Sequence, residues 1–195
     1  MNSFFNRSRP VLTPTMPWWA GILPWVAFGV TQEWSLLWAA PLALTVFVLL
    51  YWRVRLALPP LDAGIALYFL LYSIIAFTGL AQKMPAQLLL ALCPAVLAMT
   101  AILSVVLGRP FTLAYAQRYA PEHIRERHSF FRANQIITLL WVVGFATVAI
   151  AISTLPMGWK PAHAAIIFIA VMGATVAASI IIGRWLHMRE IRIET

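Results

Sequence analysis

Residues 86–111 read AQLLLALCPAVLAMTAILSVVLGRPF. From Ala86 to Leu107 this stretch holds no charged side chain, and it stops abruptly at Gly108-Arg109-Pro110. About 20 mostly apolar residues suffice for a helix to cross a bilayer, so length and composition make this a spanning helix. Backbone N–H and C=O groups in lipid must be satisfied internally, and a run this long does so as a helix. Five further apolar segments flank it: 17–31, 34–52 and 61–80 before, 134–155 and 162–186 after. The expectation is an all-α polytopic membrane protein with six transmembrane helices.

The cations sort the gaps between segments. Arg7 and Arg9 precede the first segment, and Arg53 and Arg55 follow the second. Arg109, Arg118, Arg125, Arg127 and Arg132 follow the fourth; Arg184, Arg189 and Arg192 close the sixth. The opposite gaps hold only Lys83 and Lys160, which leaves twelve of the 14 Lys and Arg on one side. Cytoplasmic loops carry such an excess, so both termini are expected in the cytosol.

With 195 residues, 62% hydrophobic and 10% charged, six spans leave no room for a second folded domain. The organisation expected is a tail over 1–16, a six-helix domain over 17–186 and a cytosolic tail over 187–195. The net charge of +8 sits in short loops beside apolar spans, which points to anionic headgroups and away from nucleic acid. Cys93 is the single cysteine, so neither an intrachain disulfide nor a cysteine cluster can form. Residues 1–16 lack the pattern of a cleavable signal peptide.

Pro17-Trp18-Trp19 opens the first segment with indoles suited to the headgroup layer. Pro24 and the short run Ala20–Val30 also permit a re-entrant or tilted segment there. Asp62 falls in the first turn of the third span, where a carboxylate complements the helix dipole. Pro94 lies mid-helix in the fourth and predicts a kink, for packing or for a pocket.

The stretch 108–133 is the longest between spans. Phe111, Tyr115 and Tyr119 recur at i, i+4 and i+8, one face of a helix started by Pro110. Beside Arg109 and Arg118, this face predicts an interfacial amphipathic helix near 110–119. Pro121 interrupts it, and 109–132 carries five Arg against two Glu, a balance of +3. Arg109, Phe111, Tyr115, Arg118, Tyr119, Arg125, Arg127 and Arg132 are the candidate contact residues for a protein partner or anionic lipid. The same cluster also reads as a topogenic signal and nothing more. In the sixth span, Ala170, Gly173, Ala174, Ala177 and Ala178 form a small-residue face that lets helices approach closely. It serves equally an intramolecular contact or a homo-oligomer.

No ionisable side chain sits in the middle of a span, which disfavours ion-coupled transport. A facilitator lined by Tyr68, Tyr72 and Ser73 near Pro94 stays open as an alternative function, as does a subunit of a redox complex. No cofactor is expected: no pair of histidines lies at membrane depth for haem. A soft copper site would need Met84, Cys93, Met157 and His163 to gather. His128 and Ser129 are adjacent, and neighbours point apart on a helix, so no catalytic residue and no enzyme is expected.

Three stretches carry a family likeness: Gly21-Ile22-Leu23-Pro24-Trp25-Val26-Ala27-Phe28, then Leu107-Gly108-Arg109-Pro110-Phe111, then Asn134 to Phe145 with Trp141. They resemble the intracellular septation protein A family of small polytopic bacterial inner-membrane proteins. The chain differs in its Arg-rich loop 115–132 and its sixth span. The resemblance implies a non-enzymatic membrane protein serving envelope maintenance or cell division through contacts with other membrane proteins.

Overall fold

The computed structural model describes residues 23–32, 34–54, 59–156 and 161–193; side chains beyond Trp185 lie outside that description. Outside it too are the tail 1–16, the Pro17-Trp18-Trp19 opening, and the cations Arg7, Arg9, Arg55 and Lys160. The chain divides into two compact units. The first contains α1 (Leu23–Gln32) and α2 (Leu36–Val54), which pack on each other as a hairpin. The second contains α3 (Pro60–Phe77), α4 (Ala86–Val106), α5 (Phe111–Tyr119), α6 (Glu122–Arg125), α7 (His128–Ser153) and α8 (Pro161–Ile193). A single 3-10 turn at Leu80–Gln82 joins α3 to α4, and no described residue lies in a strand.

Four helices are long and apolar enough to cross a membrane: α3, α4, α7 and the Ala162–Trp185 part of α8. Of the first two expected spans, the described part of 17–31 lies in α1, 10 residues long. α2 has 19 residues, with its apolar stretch at Leu37–Trp52. α8 continues as helix to Ile193, so most of the stretch 187–195 read as a cytosolic tail is helical.

The outer surface of the second unit is apolar. Met99, Val106, Ile150, Ile169 and Ile181 are all more than three-fifths exposed. Large exposed apolar residues on helices of this length are what a membrane protein presents to lipid. Inside, three alanines, Ala91, Ala98 and Ala164, join the larger Leu97, Phe145, Val148, Ile152 and Met172 in one core shared by α4, α7 and α8.

Two glycines permit the closest approaches. A Cβ on Gly64 of α3 would lie 2.7 Å from Thr100 Oγ1 of α4, and one on Gly144 of α7 would lie 2.5 Å from Thr175 Oγ1 of α8. Both threonine hydroxyls donate back to their own helix, to the Val96 and Val171 carbonyls at 2.8 Å. Apolar association gains nothing from lipid exclusion, so such close backbone packing holds the helices together.

Candidate contact site at the basic end of the bundle

At the end of the second unit where α3 and α7 begin and α4 and α8 stop, the chain folds back on itself. Gly108 adopts φ +68°. Its N–H donates to the Val105 carbonyl and that of Arg109 to Ser104, closing a Schellman turn at the end of α4. Pro110, extended and buried, then starts α5.

Ser104 joins the two helices. Its hydroxyl donates to the Ala101 carbonyl at 2.7 Å and accepts the Phe111 N–H at 3.1 Å. That N–H is one of the orphan donors of a helix start. One residue on, Thr112 Oγ1 donates to the Asn134 carbonyl at 2.9 Å and is 2.9 Å from Thr138 Oγ1. The Asn134 amide donates to the Phe130 carbonyl. Ser104, Asn134 and Thr138 are all buried, and every buried polar side-chain atom among the described residues has a partner.

The three aromatics do not share one environment. Phe111 is buried, 4% exposed, with its ring edge-on to Trp141 at 6.2 Å. Trp141 in turn meets Phe145 at 5.5 Å. Tyr115 is half-buried, with its hydroxyl 3.4 Å from Asp62 Oδ1 in the first turn of α3. Arg118 lies over its ring at 5.7 Å. Burial pushes the Tyr115 phenol above the ordinary tyrosine range; the Asp62 charge and hydrogen bond add to this, and Arg118 opposes it. Tyr119 alone projects outward, 88% exposed.

This alters the expected contact set. Phe111 is a core residue and not a contact residue, and Tyr115 serves chiefly to pin α5 to α3. The period-four pattern falls on a helix, α5, but its residues meet different surroundings, because α7 offers Trp141 to receive Phe111 while Tyr119 stays exposed. Arg125 is also committed, its Nε donating to the Ala120 carbonyl at 2.6 Å across the α5–α6 turn. Arg109, Arg118, Tyr119, Arg127 and Arg132 are exposed. Ser104, Thr112, Asn134, Thr138 and Asp62 form the brace, which the sequence reading missed. The one available signal was the α7 face at Asn134, Thr138, Trp141 and Phe145, spaced at i, i+4, i+7 and i+11.

The other candidates fall as follows. On α8, Ala170, Ala174 and Ala178 line an open groove of about 420 Å³ against Leu140 and Thr147 of α7. Gly173 and Ala177 are exposed. The α7–α8 contact itself uses Ala164, Met172 and Thr175. Tyr68 and Tyr72 are buried 6.0 Å apart, and the Ser73 hydroxyl donates to the Phe69 carbonyl at 2.7 Å. Among the described residues no three His, Cys, Asp or Glu gather as a metal site. No protein family, curated protein or solved structure matches the chain.

Proposed function

We propose that this chain is a six-pass protein of a bacterial cytoplasmic membrane that acts by contact and not by catalysis. Its cap, α5, α6 and the turn into α7, presents Arg118, Tyr119 and Arg127 to an acidic face of another membrane-associated protein. The observation that carries this is the contrast within α5. Its inner residues are braced by Ser104, Thr112 and Asp62, while its last turn leaves Tyr119 and Arg118 exposed. A rigid platform loses little entropy on binding, and exposed Tyr and Arg are the residue types that anchor protein interfaces. The charge asymmetry supports two further spans from α1 and α2 and cytosolic termini. The likeness to the septation protein A family supports a role in envelope maintenance or division.

The test is a photo-crosslinker placed at position 119 in native membranes. A discrete protein adduct is expected, lost in Arg118→Glu/Arg127→Glu but kept when the substitution is at Lys83 on the opposite turn. Adducts to lipid alone, or a protein adduct indifferent to both arginines, would overturn the reading.

A further inference from the structure

We infer that a second surface, separate from the cap, binds anionic phospholipid headgroups: the rim formed by Arg109, Arg132 and Arg184. This rests on the membrane orientation proposed above but not on the cap's protein contact. α4 has 21 residues, ~31 Å, close to the ~30 Å thickness of bilayer hydrocarbon. Arg109 is the first cation beyond its end. α7 has 26 residues, ~39 Å, so its first turns overshoot the hydrocarbon. Arg132 is the last cation before its apolar run. Arg184 is the first cation after the apolar run of α8, followed by exposed Trp185, a residue type that settles at headgroup depth.

All three arginines are exposed, and α7 packs against both α4 and α8. Three guanidinium groups therefore stand at the hydrocarbon boundary of three adjacent helices, all at one end. At the other end of these helices Lys83 is the single described Lys or Arg. Long cationic side chains at this depth extend along the helix toward phosphates while their stems stay in the apolar layer. A headgroup phosphate already lies at this depth beside the exposed guanidinium groups, whereas a soluble anion must leave bulk water to reach it. The occupant is thus the lipid headgroup, not free phosphate.

Purified protein reconstituted in phosphatidylcholine with trace spin-labelled lipids measures this directly. Motionally restricted phosphatidylglycerol should exceed restricted phosphatidylcholine. The preference should fall by about five-fold for each arginine replaced, and vanish in Arg109→Gln/Arg132→Gln/Arg184→Gln. The triple lysine variant keeps the charge and should retain the preference. Reconstitution from purified protein avoids the effect of these charges on insertion. If the triple glutamine variant does not fold, Arg132→Gln alone and wild type at ~1 M salt, where screening shortens to ~3 Å, carry the test. No preference in wild type, or competition by soluble glycerophosphate, would overturn the inference. A lost crosslink at position 119 with intact lipid preference would instead refute only the cap reading.

Discussion

Gly144→Ala puts the packing argument under direct test. The added methyl would stand 2.5 Å from Thr175 Oγ1 and 3.2 Å from both Thr175 Cγ2 and Met172 Cε. The Met172 methyl can swing away at small cost, because methionine is unbranched and flexible. Thr175 moves less easily: it is β-branched, and a change of χ1 breaks its hydroxyl's bond to the Val171 carbonyl at 2.8 Å. Relief breaks that bond or moves α7 and α8 apart, and overpacking of this kind costs about 1–3 kcal/mol. Alanine returns about 1 kcal/mol through helix propensity. The net expected loss is therefore of order 1 kcal/mol, and Gly144→Val, with more volume and less propensity gain, should lose more. Steric-trap unfolding in bicelles reads these differences. Thr175→Ala removes the obstructing atoms, so Gly144→Ala/Thr175→Ala should recover most of the loss as a favourable coupling. A neutral Gly144→Val, or a double variant whose losses simply add, would refute the claim that this contact sets the helix spacing.

Three further outcomes follow from the same geometry. Gly64→Ala meets Thr100 Oγ1 at 2.7 Å and should destabilise the α3–α4 hairpin similarly, with rescue by Thr100→Ala in the same unfolding assay. Ser104→Ala leaves the Phe111 N–H buried without its acceptor, a loss of about 1–3 kcal/mol. Hydrogen exchange should then accelerate in α5 while the middle of α4 stays protected. The Tyr115 phenol titrates above its ordinary range, so the folded protein holds that proton more tightly than the unfolded chain. Its contribution is intact below about pH 10 and declines as pH rises further. Proteolysis within 109–127 should rise above that pH in wild type, and the rise should flatten in Tyr115→Phe.

Spanning helices are legible in sequence because lipid imposes one demand on every residue of a span, and the unbroken apolar run 86–107 meets it alone. The Gly108 turn was legible for a similar reason: a left-handed residue followed by Pro110 ends α4 by local stereochemistry. The destination of α5 was not. A face built from Phe111, Tyr115 and Tyr119 is equally suited to headgroups and to a tryptophan, and only the tertiary contact with Trp141 decides between them. The same ambiguity governs Thr112 and Thr138. Singly, each reads as a polar residue near a helix end. Their meaning comes from a contact 26 residues apart, which no local window contains. Small residues show the limit from the other side. The stripe Ala170–Ala174–Ala178 was conspicuous, yet α8 meets α7 most closely through Thr175 opposite Gly144. A glycine is free to accept a neighbour's side chain in a way an alanine is not, so close approach depends on which residue faces it, and that pairing is a property of two helices together. The exposed arginines belong between these extremes. Their position beyond apolar runs is local and readable, but which of them stand on the segment braced by Ser104 and Thr138 depends on how α5 folds back.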